Sequence, residues 1–370
     1  MIDFFAQQER ALTRSQWIAA AFAGSFFAVS LLLAVSTLYA LAYAAEWGQI
    51  ETLHHPPLLV TLSLLMPLLV LGGAALPLGL EMSHGLSAFL RSLGGHSLQE
   101  EANPQLRRLL SEILEEMSIA SGIPPPELFL IDEKGINACS LGWSRHQAVI
   151  GLTRGAACRL SRDELQAVIA HEFSHLLHGD VRLNTRMLLW MAALEGCYPL
   201  GRKMLLGLFR RPPPGLAPLW VWMRILPFFL LGLICTALGA LGRLLARVLQ
   251  TAACRDRELV ADATAIQLTR NPDGLKGAFL ALGRNSLRAR LSHSAFDALA
   301  HMLFADPKVY LFSEIFATHP PLEDRIRATN PQWNGQFPDQ PPPHRRFDKP
   351  DVIPEFLQAP APETAATAPA

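Results

Sequence analysis

Two long runs without a charged residue constrain this chain more than any other feature of its sequence. Residues 15–45 contain no Asp, Glu, Lys or Arg, and residues 56–80 form a second such run. A transmembrane helix needs about 20 consecutive apolar residues, and both runs exceed that length. They predict a transmembrane helical hairpin over residues 15–80, after a short N-terminal segment over residues 1–14.

A cleaved signal peptide is the alternative interpretation of the first run, because Ala42-Tyr43-Ala44 has the form of a cleavage site. The apolar core of a signal peptide is only about 7–15 residues long, so we expect the run to be retained. Arg10 and Arg14 precede it, and residues 46–55 carry no Lys or Arg. The positive-inside rule then predicts that the N-terminus and the chain after the second run lie in the cytoplasm.

The composition agrees with a membrane protein, since 50% of the residues are hydrophobic and only 17% are charged. The 32 basic residues balance the 32 acidic ones, so no excess of positive charge favours nucleic acid, and we expect no such partner. The five cysteines are an odd number without paired metal-ligand spacings. They indicate buried thiols in a reducing compartment.

The pentapeptide from His171 to His175, with the sequence His-Glu-Phe-Ser-His, carries the clearest chemistry. On an α-helix, residues four apart lie on the same face about 6 Å apart along the axis, so both imidazoles can reach one metal ion. Glu172 would lie beside them, where zinc peptidases place the base that takes a proton from water. The alternative is an ordinary amphipathic helix with two unrelated histidines.

Helix boundary signals surround this motif. Ser161 and Glu164 predict a capping box at the start of its helix, and Gly179 predicts the end. Asn103-Pro104 predicts the start of an earlier helix, which residues 122–126 interrupt. Residues 128–131, 136–143 and 147–150 then predict strands of a small sheet, whose edge could pair with an extended peptide or serve only as a structural hairpin.

The chain becomes apolar again after the motif, at residues 187–194 and 225–242. If both segments crossed the membrane, the basic connection between them would lie outside, against the positive-inside rule. The alternative is a hairpin that lies in the membrane interface or packs against the first pair of helices. A further helix is predicted over residues 253–269, and the Pro- and Ala-rich residues 331–370 predict a disordered tail.

Two histidines do not complete a catalytic zinc site, which usually has three protein ligands and an open position. Glu258 is the best candidate for the third ligand, because Asp262 lies one turn further along the same helix face and can orient a ligand histidine. Such an acidic pair, taken alone, is more often a solvated helix face.

Several blocks of sequence, taken together, resemble the HtpX-like membrane zinc metalloproteases, relatives of the CAAX prenyl endopeptidases. The resemblance covers most of residues 100–330. The blocks that carry it are Ile136-Asn137-Ala138, Arg162-Asp163-Glu164-Leu165 leading into the pentapeptide, His178 with Asp180, Arg255-Asp256-Arg257-Glu258 with Ala261-Asp262, and Thr318-His319-Pro320-Pro321 with Arg325. One departure is Arg270, where the family often has a glycine.

The resemblance implies an α+β, mainly helical fold, with a zincin-like metalloprotease domain, a small β-sheet and transmembrane helices. The protease domain would consist of residues 97–180 and 251–330, separated by the apolar insert of residues 181–250. One Zn²⁺ per chain would be the cofactor. The implied site has His171, His175 and Glu258 as zinc ligands and Glu172 as general base. His319 would be a second catalytic residue near the metal, where it assists the transition state or caps the metal. Asp262 would orient a ligand, and Asn137 and Ala138 would lie on the substrate-binding edge.

The function implied is a membrane-bound zinc endopeptidase of membrane-protein quality control. Its partners would be polypeptide substrates, misfolded or membrane proteins among them, and the lipid bilayer. We expect an integral protein of the bacterial inner membrane with the catalytic domain facing the cytoplasm. Two alternatives stay open: a CAAX-type protease acting on prenylated C-termini, and a non-catalytic membrane-anchored zinc-binding or chaperone-like module.

Overall fold

A computed structural model describes residues 4–46, 56–210, 219–284, 289–293, 296, 298–307 and 317–337. The chain divides into two compact units. The first comprises Met1–Leu80 and Arg186–Ala253, and the second comprises Glu81–Thr185 and Cys254–Ala370. The helices are α1 (Phe4–Glu46), α2 (Pro56–Pro67), α3 (Gly73–Ser83), α4 (Leu86–Ser92), α5 (Pro104–Ser121), α6 (Arg154–Arg159), α7 (Arg162–His178), α8 (Asp180–Glu195), α9 (Cys197–Arg210), α10 (Leu219–Thr269), α11 (Pro272–Arg284) and α12 (Leu322–Thr329). The strands are β1 (Gly95–Ser97), β2 (Glu127–Ile131), β3 (Ala138–Ser144) and β4 (Gln147–Thr153).

Three helical segments of the described residues are long and apolar enough to cross a membrane, namely Ala19–Glu46, Pro56–Ser83 and Ile225–Thr251. Large apolar side chains on the first two are exposed, as expected for a surface that faces lipid: Phe27 is 71% exposed and Leu64 is 67% exposed. A π-helical turn, Leu68–Gly72, follows Pro67, because proline removes a hydrogen bond from the regular helical pattern.

Helices α9 and α10 approach each other closely in the first unit. A side chain added at Gly201 would collide with the backbone of Thr236, and one added at Gly239 would collide with the backbone of Tyr198. Small residues allow such close approach between helices in a lipid environment, where van der Waals packing rather than the hydrophobic effect drives association.

The second unit contains a four-stranded sheet in the order β1-β2-β4-β3. Strand β2 pairs with β4 in parallel, and the other two pairings are antiparallel. Alternate residues face α5 and α7 across one core, among them Leu128, Leu130, Ile150 and Leu152. The other face meets α4, where the main chain of Leu90 approaches Gly95. Strand β3, which lies beside α7, is therefore at one end of the described sheet.

The predicted boundaries of the two main helices are confirmed. The Asn103 side chain caps α5 by accepting from the N–H groups of Gln105 and Leu106. The capping box of Ser161 and Glu164 begins α7, and Gly179 ends it with a φ of 76° in the left-handed region. These local signals place the motif from His171 to His175 in the buried middle of a helix.

The structure differs from the sequence-based expectations in three places. Strand β1 was not predicted, because three residues are too few to show an alternating pattern. The helix predicted over residues 253–269 is the end of the single long helix α10, since residues 243–253 contain neither Gly nor Pro to break it. Trp333 and Phe337, within the tail predicted to be disordered, pack against the core, whereas residues 338–370 lie outside the described residues.

Helix α10 ends at a strained residue. Arg270 has a φ of 51°, the one positive value at a non-glycine position among the described residues. The left-handed conformation costs an L-residue with a side chain about 1–2 kcal/mol, and glycine avoids most of that cost. The departure from the family at this position therefore leaves a strained helix end.

Candidate active site

Three side chains from α7 and α10 converge on one buried point. His171 Nε2 and His175 Nε2 lie 3.2 Å apart. Glu258 Oε2 lies 3.5 Å from His171 Nε2, and Glu258 Oε1 lies 3.5 Å from His175 Nε2. The two histidines come from successive turns of α7, and Glu258 comes from α10, so the group forms only when the two helices pack together.

The donor set and its spacing fit a zinc ion. Tetrahedral ligand atoms about 2.0–2.1 Å from a common zinc are roughly 3.3 Å apart. The two imidazole nitrogens are 3.2 Å apart, and each is 3.5 Å from the nearer oxygen of the Glu258 carboxylate. Glu258 Oε2 is buried and makes no hydrogen bond in the described part of the chain, although three cationic or imidazole nitrogens lie 3.4 to 3.5 Å from it. A buried carboxylate oxygen without a hydrogen bond can accept a metal ion. Two imidazoles and one carboxylate leave a fourth position for water or substrate, as catalytic zinc sites do.

Glu172 lies beside this group with a fully buried carboxylate. Burial raises its pKa above the usual range, although the nearby histidines and a hydrogen bond from Ser140 on β3 oppose the shift. Its Oε2 atom has no hydrogen-bond partner among the residues described. A carboxylate with a raised pKa and a free oxygen is suited to accept a proton from water at neutral pH.

Each candidate ligand histidine has an aspartate at its other nitrogen. Asp262 Oδ1 lies 3.0 Å from His171 Nδ1, and Asp180 Oδ2 lies 3.0 Å from His175 Nδ1. Each aspartate is paired in turn with an arginine, Asp262 with Arg325 and Asp180 with Arg257. Such carboxylates fix the ring orientation and direct the free Nε2 lone pair toward a metal.

The buried charges of the site perturb one another strongly. Burial alone would raise the pKa of Glu258, but His319, His171 and His175 hold it well below its usual range. Burial would lower the pKa of His175, but Asp180 and Glu258 raise it well above its ordinary value. The carboxylate is therefore ionised and available to a cation, while protons compete with a metal for the imidazole.

His319 reaches the edge of the same site from the segment before α12. Its Nε2 lies 3.5 Å from Glu258 Oε2 and 2.6 Å from the carbonyl oxygen of Leu303. Burial would lower its pKa, but Glu258 and Asp306 raise it. In this conformation the imidazole thus holds a main-chain carbonyl of the protein itself close to the candidate ligands.

Ala138 begins β3 and Asn137 directly precedes it, and polar groups of both contact another segment of the same chain. The Asn137 amide donates to the carbonyl oxygens of Ala289 and Ala305, at 3.1 and 3.0 Å. The Ala138 carbonyl accepts from Phe304 N at 2.8 Å, and Leu303 forms an isolated bridge with Cys139. A substrate role for Asn137 and Ala138 stays a prediction, and it requires this segment to make room.

Sequence reasoning gave no role to several groups that contact the site. Ser140 bonds to Glu172, Asp180 faces His175, and the Phe304 ring packs edge-on against His171 with centroids 5.1 Å apart. Asp180 had a detectable signal: it follows the helix-ending Gly179, where the chain turns back toward the last histidine. Phe304 had none, because its segment has no regular pattern.

The fold and the site define a class, a membrane protein whose mainly helical peptidase domain carries an HExxH helix and a candidate metal site. The chain belongs to peptidase family M48, whose pattern matches residues 103–331. It is similar to a protease HtpX homolog of Streptococcus thermophilus, with 32% identity over 242 residues that cover 63% of this chain and 75% of the relative. A protease HtpX homolog of Streptococcus pyogenes is 34% identical over 215 residues, which cover 58% of this chain and 70% of that relative. No solved structure matches the chain. The protein is an HtpX-like, membrane-bound metalloendopeptidase.

Proposed function

We propose that this peptidase uses one zinc ion per chain, held by His171, His175 and Glu258. The observation that carries the proposal is the convergence of these three side chains beside the free carboxylate oxygen of Glu172. The two Nε2 atoms lie 3.2 Å apart, and each lies 3.5 Å from a different oxygen of the Glu258 carboxylate. When bound, zinc would lower the pKa of a water molecule to about 7 and polarise the peptide carbonyl. The open fourth position favours catalysis over a purely structural metal.

Glu172 is the proton carrier in this proposal. Its buried Oε2 atom takes a proton from water and later passes it to the leaving amine. Ser140 keeps the other carboxylate oxygen in place, because its hydroxyl bonds to Glu172. The raised pKa that burial gives Glu172 supports both steps, since the group must gain and lose a proton within one cycle.

Other side chains orient the ligands and the substrate. Asp262 orients His171. His319 donates from Nε2 to the oxygen of the substrate peptide carbonyl, on which negative charge develops as water attacks. Hydrogen bonds to such an oxygen stabilise the transition state. Asn137 and Ala138 pair with the backbone of an extended peptide once residues 303–305 have moved from the edge of β3. The contacts of Asn137 and Ala138 with Ala305 and Phe304 support this assignment, because they engage main-chain groups as an extended peptide would.

The cellular role proposed is quality control of membrane proteins in the bacterial inner membrane, with misfolded or membrane proteins as substrates. Arg10 and Arg14 before the first apolar run favour a cytoplasmic N-terminus and a catalytic unit on the cytoplasmic side. The three apolar helical segments support the association with lipid. We also propose that the peptidase domain consists of residues 97–180 and 251–330, separated by the apolar insert of residues 181–250.

The proposal is tested on detergent-solubilised full-length protein by measuring zinc content and casein cleavage together. Glu172→Gln should keep one zinc per chain and lose cleavage, and Glu258→Ala should lose the zinc. Glu112→Gln, an exposed position that pairs with Arg108, is the matched control and should behave as the wild type. Full cleavage by Glu172→Gln, or retained zinc in Glu258→Ala, would contradict the assigned roles.

A further inference from the structure

The guanidinium group of Arg325 contacts several groups that surround the candidate metal ligands. Arg325, on α12, is fully buried. Its Nε and Nη2 atoms donate to the two carboxylate oxygens of Asp262 at 2.8 and 2.6 Å. Its Nη2 also lies 3.4 Å from Glu258 Oε2, and its Nη1 donates to the carbonyl oxygen of Phe304 at 2.8 Å.

These contacts reach two of the three candidate zinc ligands by three routes. Glu258 is contacted directly. His171 is reached through Asp262, which lies 3.0 Å from its Nδ1, and through Phe304, whose ring packs against the imidazole. The guanidinium itself lies over the Phe279 ring, 4.5 Å from the centroid. A displacement of this one group would therefore displace both ligands.

We propose that Arg325 is a positioning residue of the metal site, which holds Glu258 and His171 in place for the ion before it binds. The proposal rests on the zinc site proposed above. The planar fork of arginine matches both oxygens of a carboxylate, and lysine has no equivalent geometry. Glu258 and Asp262 are on α10 and Phe304 is on the segment beside β3, so this fork joins three separate parts of the second unit.

A geometric role and a purely electrostatic role of Arg325 predict different zinc affinities for the variants. A positive charge 3.4 Å from Glu258 Oε2 competes with a cation for that carboxylate, so weakening it would tighten zinc binding if charge alone mattered. If position matters, loss of the fork weakens binding even when the charge is kept. Arg325→Lys separates the two, because it retains the charge and removes the fork.

The experiment is a zinc affinity measurement on full-length protein in detergent, by competition with a chromogenic chelator. Arg325→Lys should bind zinc about 10- to 100-fold more weakly than the wild type, the usual effect of disturbing groups that orient metal ligands. At saturating zinc, kcat for a peptide substrate should fall while KM stays unchanged. Arg154→Lys is the matched control, since Arg154 forks between Asp132 and Glu101 in the same unit without contacting the metal site. Its zinc affinity should equal that of the wild type.

Unchanged or tighter zinc binding in Arg325→Lys would overturn the positioning role. If that variant does not fold, Asp262→Asn is compared with the double variant Arg325→Gln and Asp262→Asn, which leaves no unpaired buried charge. The double variant should bind zinc about 10-fold more weakly than Asp262→Asn alone, and equal affinities would overturn the proposal. A wild-type protein that binds no zinc would refute the proposed function instead, so the two failures are distinguishable.

Discussion

Asp180 offers the sharpest test of how the candidate ligands are prepared for a metal. Its two carboxylate oxygens serve two donors, Oδ2 accepting from His175 Nδ1 at 3.0 Å and Oδ1 from Arg257. Asparagine has only one acceptor oxygen, so in Asp180→Asn the amide must face one of these donors. The charged guanidinium takes the oxygen, because charge-assisted bonds are the stronger ones, and the amide N–H₂ then faces His175.

That arrangement would change the tautomer of His175. An N–H donor at Nδ1 favours a proton on Nε2, the atom that points toward Glu258 and the proposed metal. Asp180→Ala has no such donor and only loses the orienting contact. We therefore expect zinc affinity to fall about 10-fold in Asp180→Ala and about 100-fold in Asp180→Asn, or about 1.4 and 2.7 kcal/mol.

The assay is chelator competition for zinc on the full-length protein in detergent. Asp132→Asn is a suitable control, because Asp132 is exposed and lies 4.0 Å from His96, so it forms an aspartate-histidine pair outside the site. It should bind zinc like the wild type. Wild-type affinity in Asp180→Asn, or weaker binding in Asp180→Ala than in Asp180→Asn, would refute the reasoning about the tautomer.

Three further predictions concern stability and reactivity. Arg270→Gly should raise the free energy of unfolding by about 0.5–1 kcal/mol, because glycine adopts the left-handed conformation of φ 51° without strain. Gln267→Gly, inside the same long helix, should lower the free energy of unfolding by about 1 kcal/mol. Thermal unfolding that does not give opposite signs for the two variants would contradict the argument. Burial would raise the pKa values of Asp180 and Asp262 in the folded protein, but their arginine and histidine partners hold both below the usual range. The stability that the two aspartates contribute is present above about pH 4 and is lost as the pH falls through their folded-state pKa values. Urea midpoints measured from pH 6 to pH 3 should therefore decrease more for the wild type than for the double variant Asp180→Ala and Asp262→Ala. Burial raises the pKa of Cys139 to about 12, so iodoacetamide at pH 8 should label it only after unfolding, and labelling of the native protein, detected by mass spectrometry, would contradict its burial.

Local signals in the sequence were sufficient where a short stretch determines the structure. The capping box of Ser161 and Glu164 and the glycine at 179 define α7 by contacts within a few residues. The spacing of the two histidines in that helix then follows from helical geometry alone. Contacts between residues that are far apart in the sequence could not be predicted from such local signals. Nothing near Arg325 in the sequence indicates that its fork binds Asp262, because that contact depends on how α10 and α12 pack.

The outer edge of β3 shows the same limit. The sequence predicted a small sheet beside the metal-bearing helix, and this sheet is observed. The segment that pairs with its edge, Leu303–Ala305, has no alternating pattern, and its position depends on main-chain contacts with Asn137 and His319. A segment without regular secondary structure, held by side chains that are distant in the sequence, has no periodic sequence pattern from which it could be predicted.

The second unit is discontinuous in the chain, since residues 186–253 belong to the other unit. During synthesis, His171 and His175 leave the ribosome long before Glu258, His319 and Arg325 do. A nascent chain therefore has the two imidazoles without their carboxylate until the apolar insert has been made. The proposed catalytic site can therefore form only after the apolar insert and the part of α10 that carries Glu258 have been synthesised.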